Sequence, residues 1–312
     1  MNKFLLMAVA AICSLPTMAQ KADSLVFTTV LENPVTSIKN QNNSGTCWSY
    51  SALAFLESEV LKKDPSKKDI DLCESFLVSK TYTDRADRNV RTHGDASFSQ
   101  GGSFYDAIFC MERYGLVPEG LMPYPITPYG DSLFNFTNFF PPMEAYIKAI
   151  ATSNAKKINP IWKKDVQGML DNYFGQCPTE FEYKGKKYTP QSFVKDYLKL
   201  DPNDYVSLTS YTHQPYYESF ILEIQDNWRW GLSYNLPLDE FMETMDYAVK
   251  NGYTFAWGSD VSETGFTRDG IAVCPDAEKG ADLTGSDMAR WTGMSATDKR
   301  RELTSRPMPE IE

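Results

Sequence analysis

Hydrophobic positions recur at helical spacing in several stretches of the chain. The clearest stretch begins at Cys47, after which Trp48, Ala52, Leu56 and Val60 follow one another every four residues. Charged side chains fall off this stripe, and the pattern fades before an Asp-Pro pair. Because a period near 3.6 residues is that of an amphipathic helix, we predict a long helix that starts near Cys47.

Other stretches predict further helices and a few strands. Helices are predicted over 71–81, 103–114, 142–174 with a break near Asn159, 190–200 and 238–250. A short extended segment is predicted over 35–38, a loop over 84–102, a hairpin over 181–188 and a buried strand over 253–257. Helices precede strands, which is typical of an α+β protein with segregated layers rather than of an alternating βαβ sheet.

The N-terminus has the pattern of a signal peptide. Lys3 precedes an apolar run of about a dozen residues, too short to span a bilayer as a helix, and small residues near Ala19 provide a cleavage point. We therefore expect export, to the periplasm, with removal of residues 1–19. No later apolar run approaches the length of a membrane span, so no membrane contact is expected after cleavage.

Composition excludes some classes of function. The chain of 312 residues carries 31 basic and 41 acidic side chains, a net charge of −10, and 42% hydrophobic residues. This hydrophobic content suffices for a folded core, and the acidic surplus disfavours nucleic acids and anionic membranes as partners. The six cysteines form no C-x-x-C pair, and Asp260, Glu263 and Asp269 have irregular spacing. We therefore expect neither a metal nor an organic cofactor.

The segment 35–51 carries the residues with the clearest chemistry. A cysteine in the first turn of a helix lies near unpaired N–H groups and the positive end of the helix dipole, which both favour the nucleophilic thiolate. The backbone N–H of Cys47 can face an oxyanion, and Gln41, six residues upstream across a Gly-containing loop, can return a second donor. For an isolated cysteine, a buried and inert thiol at a helix start would be the simpler interpretation.

This segment resembles the nucleophile region of the papain-like cysteine peptidases. Gln41 stands in the place of the family's oxyanion glutamine and Cys47 in the place of its nucleophile. Gly101 and Gly102 resemble the family's Gly-Gly segment, whose bare backbone pairs with an extended substrate peptide. The resemblance covers roughly residues 33–275.

Within that family, the chain is most similar to the branch of bleomycin hydrolase and bacterial aminopeptidase C. The stretch before Gln41 is too short for the usual papain propeptide, and Ser44 and Ser99 stand where papain relatives commonly have cysteines. A long, largely helical insertion over 130–235 is also similar to that branch.

The resemblance implies an α+β, papain-like fold with two lobes. The expected parts are an N-terminal helical lobe with the nucleophile over 20–129, the helical insertion over 130–235, and the start of a β-rich C-terminal lobe over 236–312. The implied function is that of a cysteine peptidase, an aminopeptidase, that acts on peptides without a cofactor. The same branch forms hexamers, so a homo-oligomer is implied as well.

The resemblance leaves the catalytic histidine and asparagine without a match. The family places both after strands that 253–257 and 270–274 resemble, and the residues from 275 to 312 contain no histidine. We expect this half of the site to lie beyond residue 312 and Cys47 to turn over little substrate here. His213 followed by Asn227 has the right order but precedes the expected sheet, and His93 lies in a predicted loop.

Two alternatives stay open. The first is a papain-fold acyltransferase or transglutaminase-like enzyme, which would pass the acyl group to an amine. The second is a catalytically inactive module that binds peptides along Gly101 and Gly102.

Overall fold

A computed structural model describes residues 28–122 and 133–258 of the chain. The predicted signal peptide and the residues from 259 onwards, including the three acidic residues of irregular spacing, lie outside these ranges. The α-helices of the described part are α1 (Cys47–Lys63), α2 (Glu74–Arg91), α3 (Phe104–Arg113), α4 (Phe140–Ala151), α5 (Trp162–Phe174), α6 (Pro190–Ser192) and α7 (Leu238–Lys250). The strands are β1 (Phe181–Tyr183), β2 (Lys186–Tyr188), β3 (Leu208–Thr209), β4 (Ser219–Ile221) and β5 (Leu232–Asn235).

The hydrophobic core lies among the first five helices, with α2 in contact with α1, α3, α4 and α5. The predicted stripe of α1 is buried there, and Leu53, Leu56 and Val60 are fully inaccessible to solvent. Edge-to-face aromatic pairs extend the core beneath α5, where Phe174 packs against Phe134. Such pairs favour one fixed packing of the rings, so the core next to α1 has a defined packing.

Most of the predicted helices form at the predicted places. The bounds of α1, α3 and α7 agree with the sequence pattern, and the predicted break at Asn159 separates α4 from α5. The hairpin of β1 and β2 is confirmed, and its turn residues Lys184 and Gly185 have φ angles of 48° and 76°. Two positive φ angles are what a tight two-residue hairpin turn requires.

The predicted loop over 84–102 was wrong in its first part, because α2 continues to Arg91. The charged residues in these last two turns of α2 hide the helical pattern. One of them, Arg85, is fully buried, since its guanidinium donates to the carbonyl oxygens of Ser97 and Gly101. A buried cation is tolerated when its N–H groups are satisfied, and periodicity does not reveal this.

In the region 130–235 the longer helices, α4 and α5, lie in the first half, and the helix predicted over 190–200 forms as α6 followed by a π-helix over Phe193–Leu198. The second half of this region also contains the β1–β2 hairpin and a three-stranded sheet in the order β3-β5-β4, with β5 parallel to β3 and antiparallel to β4. These strands are short, and the amide of Asn235 donates to the carbonyl oxygens of Tyr211, Gln214 and Pro215. Side-chain bonds of this kind hold loops that have no periodic signal.

The predicted strand over 253–257 was also wrong. In the described part of the chain this segment pairs with no strand, and Tyr253 and Trp257 are exposed. None of the described helices is both long and apolar enough to cross a membrane.

Candidate functional site

The loop before α1 is folded onto itself by its own side chains. Gln41 Nε2 donates to the carbonyl oxygen of Ser44 (2.9 Å), and Ser44 Oγ donates to the carbonyl oxygen of Gln41 (2.9 Å). Backbone bonds from Asn43 to Phe134 (3.1 Å) and from Phe136 to Asn43 (2.9 Å) tie the loop to the core. The loop therefore holds Gln41 in a fixed position relative to the start of α1.

Cys47 is the first residue of α1, and its side chain is exposed. The N-cap residue Thr46 forms no capping bond to the helix, because its hydroxyl shares a hydrogen bond with Ser44 Oγ (2.6 Å) instead. The first turn contains no acidic side chain, and the Cys47 N–H has no acceptor among the described residues. An uncapped helix start of this kind presents free N–H groups and positive potential to an anion.

Gln41 retains a donor that the loop does not use. Its Nε2 carries two hydrogens, of which one is bonded to Ser44, and the other has no acceptor in the part of the chain that is described. The structure thus places Gln41 and Cys47 at the two ends of one hydrogen-bonded loop, each with a free N–H group. Two such donors are what an oxyanion hole requires.

Gln100 connects this loop to the predicted Gly-Gly segment. Its side-chain oxygen accepts from the Gly45 N–H (2.8 Å), and its backbone oxygen accepts from Trp48 Nε1 (3.1 Å) and the Tyr82 hydroxyl (2.9 Å). Sequence reasoning did not assign a role to Gln100. Its three bonds bring the Gly-Gly segment next to the start of α1.

Both glycines of the segment lie where a side chain would not fit. A Cβ atom on Gly102 would lie 2.8 Å from the ring of Trp48, and one on Gly101 would lie 2.4 Å from Oδ1 of Asp226. The backbone N–H and C=O of Gly102 make no hydrogen bond to any described residue. The segment is therefore a bare backbone edge that an extended peptide can pair with.

A buried ionic cluster fastens the loop after β4 to the start of α3. Asp106 is fully buried and accepts hydrogen bonds from Ser103 N (3.0 Å), Trp228 Nε1 (3.1 Å) and Arg229 Nε (2.6 Å). Arg229 also donates to Asp84 (2.9 Å). Burial raises the pKa of Asp106, and the Arg229 charge and the hydrogen bonds lower it.

Sequence reasoning missed this cluster. The residues around Asn227 and Trp228 are predicted to belong to the inserted region, and Asn227 is considered only as a partner of His213. The available signal was the capping-box position of Asp106, three residues after Ser103.

The two histidines are not joined to this site by any hydrogen bond in the described ranges. His213 Nε2 lies 3.1 Å from Glu223 Oε2, and His93 is an exposed residue with a φ angle of 53°. The amide of Asn227 donates to the carbonyl oxygens of Leu222 and Gly231 (both 2.9 Å). Asn227 therefore holds its own loop and does not orient His213.

The described cysteines are all free thiols: Cys47, Cys73, Cys110 and Cys177. Within residues 28–122 and 133–258 no group of three or more histidine, cysteine or acidic side chains could hold a metal ion.

Comparisons with known proteins identify relatives of this chain. A model of the papain family of cysteine proteases matches residues 26–188, more than half of the chain, and a model of the peptidase C1-like family matches residues 171–276. Aminopeptidase G of Lactobacillus delbrueckii subsp. lactis is 27% identical over 76% of this chain and 61% of its own length. Aminopeptidase C of Streptococcus thermophilus is 25% identical over 82% of this chain and 65% of its own length.

A solved structure, that of PepW from Lactobacillus rhamnosis HN001, has the same fold. It superposes with a TM-score of 0.56 at 21% identity and covers 82% of this chain and 67% of its own chain. The chain spans less than two thirds of the curated relatives named above.

Proposed function

The chain belongs to the papain family of cysteine proteases, and we propose that it is a cysteine peptidase, an aminopeptidase, whose nucleophile is Cys47. The thiolate of Cys47 attacks the carbonyl carbon of a peptide bond, and the N–H of Cys47 and the amide of Gln41 bind the oxyanion that forms. The C–N bond then breaks and the amine leaves with a proton taken from solvent or from the base that ionised Cys47, and water then hydrolyses the thioester to a carboxylic acid and the free Cys47 thiol.

One observation carries this proposal. An exposed thiol lies at an uncapped helix start, and Gln100 bonds that helix start to a bare glycine edge. The pairing of a peptide with Gly102 would bring a carbonyl within reach of Cys47, since the ring of Trp48, the next residue, packs against Gly102. Restriction to the amino end of peptides is supported by the names of the relatives, which are aminopeptidases.

The test is covalent labelling with an epoxysuccinyl peptide, which needs both the peptide edge and the oxyanion donors. We expect a single adduct on Cys47, found by mass spectrometry of digested protein, and no adduct in Cys47→Ser. Cys177→Ser is the matched control, because Cys177 is a free, partly exposed thiol away from the loop, and this variant should label like the wild type. A wild-type protein that never labels at Cys47 would refute the proposal.

A fluorogenic aminoacyl amide tests turnover in the same preparations. Because no histidine in the described residues is bonded to the site, we expect little hydrolysis by this 312-residue chain. Robust hydrolysis that is lost in Cys47→Ser would show that a histidine of this chain serves as the base.

A peptide-binding module without catalysis is the second candidate. It is favoured by the same lack of a bonded histidine and by the free backbone groups of Gly102. Peptide binding that persists in Cys47→Ser, together with failure of the wild type to label or hydrolyse, would select it. An acyltransferase would instead transfer the acyl group of a labelled ester to added amines faster than to water.

We also propose export to the periplasm after cleavage near residue 19, and assembly into a homo-oligomer, a hexamer. The pattern that begins at Lys3 supports export, and the resemblance of the chain to its branch supports the oligomer. N-terminal sequencing of protein from the periplasmic fraction, followed by sedimentation equilibrium, would test both.

A further inference from the structure

A cavity of about 360 Å³ lies between α2, α3 and the loop that carries Trp228. This volume is within the range of sites that bind small molecules. Although the chain as a whole has a net charge of −10, cations outnumber acids here. We call it the arginine cavity, because its lining includes four arginines beside two aspartates: Arg88, Arg91, Arg113 and Arg229, with Asp84 and Asp87.

The two aspartates of the arginine cavity have partners of their own. Asp84 accepts hydrogen bonds from Arg229 (2.9 Å) and from the hydroxyl of Tyr114 (2.6 Å). Asp87 forms an ion pair with Lys163. Because each carboxylate is balanced by a neighbouring cation, the two aspartates oppose the approach of an anion only weakly.

Arg88, in contrast, has no acceptor for its N–H groups. It forms neither an ion pair nor a hydrogen bond with any residue of the described ranges, and its Nε and Nη2 atoms are shielded from solvent. These two nitrogens form the edge of a guanidinium that pairs side by side with two oxygens of a carboxylate or phosphate. Since polar groups in such surroundings normally have an acceptor, an oxyanion group is the ligand that fits this edge.

The ring of Trp230 holds the guanidinium of Arg88 in place. The Cζ atom of Arg88 lies 3.7 Å from the centroid of this ring, a distance at which a cation and an aromatic face attract each other. Trp230 is fixed in turn, because its backbone N–H donates to the carbonyl oxygen of Asn227 (2.9 Å). Stacking occupies the face of a guanidinium and leaves its edges for hydrogen bonds, so Arg88 is already oriented as a bidentate donor.

Arg113 supplies a second positive charge to the arginine cavity. It is the last residue of α3, its side chain is exposed, and it forms no ion pair within the described part of the chain. The cavity thus contains two cations, Arg88 and Arg113, whose charge is not balanced by a neighbouring carboxylate. Such a pair favours an anion with two negative charges over an anion with one.

We propose that the arginine cavity is a binding site for a small dianion that carries a phosphate or carboxylate group, with Arg88 as the bidentate donor and Arg113 as the second cation. The proposal goes beyond the peptidase function and does not rest on it, since neither arginine takes part in the proposed reaction of Cys47. A phosphate and a dicarboxylate present the same oxyanion chemistry to Arg88, and the experiment separates them.

The experiment is isothermal titration calorimetry of the full chain with inorganic phosphate, succinate and acetate at pH 8, where ionic strength is kept constant with sodium chloride. We expect one saturable site for phosphate, for succinate or for both, and weaker binding of the monoanion acetate. Arg88→Gln should weaken the binding of the dianion by about 10-fold or more, the range for a hydrogen bond to a charged group. Arg88→Lys keeps the charge and loses the bidentate edge, so it should weaken binding as well.

Arg91→Gln is the matched control for charge. Arg91 lies on the same helix as Arg88, is 77% exposed and already has Asp87 within 3.8 Å, so its loss should weaken binding by no more than about two-fold. Melting temperatures without ligand report the folding of each variant, and Arg88→Lys, which keeps a cation beside Trp230, serves if Arg88→Gln does not fold. Cys47→Ser should bind the dianion as the wild type does, whether or not Cys47 proves to be a nucleophile.

Three results would overturn the proposal. The absence of saturable binding of both dianions would show that water alone satisfies the N–H groups of Arg88. Equal weakening in Arg88→Gln and Arg91→Gln would show a diffuse positive surface without a built site. Binding of acetate as tight as that of succinate would exclude a site for a dianion. Binding of phosphate alone or of succinate alone supports the proposal and identifies the ligand class.

Discussion

Two cysteines occupy the same kind of position in this molecule and have opposite surroundings. Cys47 is the first residue of α1 and is exposed, whereas Cys73 is the N-cap of α2 and is 2% exposed. Cys73 Sγ accepts a hydrogen bond from the Phe76 N–H (3.4 Å), so its helix start is capped. The start of α1 has no such cap.

The charges around Cys73 add to this difference. Burial, and after it the negative charge of Glu119, raises the pKa of Cys73 well above its ordinary value. The bonded Phe76 N–H works in the other direction and is the smaller effect. A helix N-terminus is therefore not sufficient to make a cysteine reactive, and access to solvent decides the outcome.

The largest expected effect is the difference in alkylation between the two thiols. In native protein, iodoacetamide should modify Cys47 more than about a thousand-fold faster than Cys73, because a buried thiol reacts only after local opening. Timed quenching and mass spectrometry of the peptides measure both rates. Cys47→Ser should remove the fast phase and Cys73→Ala should leave it, and rates within ten-fold of each other would contradict the comparison.

The second prediction concerns a substitution that removes a cation near Cys73. Lys39 Nζ lies 2.8 Å from Glu74 Oε1 and 2.5 Å from Asp71 Oδ1. At pH 9, above the pKa of about 8 that burial gives Glu74, Lys39→Met would leave the ionised, buried Glu74 without its cation and should destabilise the fold by about 3 kcal/mol. Urea unfolding measures this loss, and Cys73 should be alkylated faster while Cys47 is unchanged.

The control for that variant is Lys163→Met. The ion pair of Lys163 with Asp87 is half exposed, and removal of such a pair should cost less than about 1 kcal/mol. Equal losses in the two variants would show that the cluster near Cys73 contributes no more than a surface pair.

The third prediction concerns the surroundings of Cys47. Gly102→Val would place side-chain atoms against the ring of Trp48 and cover the peptide edge. Labelling of Cys47 by an epoxysuccinyl peptide should fall by roughly 10- to 100-fold, since main-chain pairing provides much of the affinity. Reaction with iodoacetamide should be unchanged, and Gly168→Ala, where a Cβ meets no atom, should affect neither rate. A parallel fall in both rates would indicate damage to α1 rather than to the edge.

The smallest effect is a dependence of stability on pH. Burial raises the pKa of Glu74 to about 8, while its unfolded value is near 4.5. The folded state thus keeps a proton that the unfolded state loses, so this contribution is complete below pH 4.5 and is lost as pH rises towards 8. The free energy of unfolding should fall by about 1 kcal/mol for each pH unit between pH 5 and pH 8.

Urea titrations at pH 5, 6, 7 and 8 measure this slope. Glu74→Gln removes the titrating group and should flatten this slope. Glu223→Gln, on the exposed loop, is the control and should leave the slope unchanged. A wild-type slope of the opposite sign would show that Lys39 keeps Glu74 ionised in the folded protein.

The sequence predicts the parts of this molecule that depend on local pattern. The period that begins at Trp48 predicts α1, and the loop residues before it predict the turn that holds Gln41. The pattern does not show that Arg85 extends α2 into a charged stretch, because the carbonyl acceptors of Arg85 lie in a different segment. Nor could it place Asp226 beside Gly101, because that contact depends on how two distant parts of the chain pack.

The bonds of Gln100 to the start of α1 have a mechanical consequence. Since Gly45 and Trp48 are both tied to Gln100, the start of α1 with Cys47 and the backbone next to Gly101 and Gly102 form one hydrogen-bonded unit. A displacement of either part is therefore expected to strain the bonds that hold the other. Changes in outlying segments that leave these bonds intact should therefore leave the spacing between Cys47 and the glycine backbone unaltered.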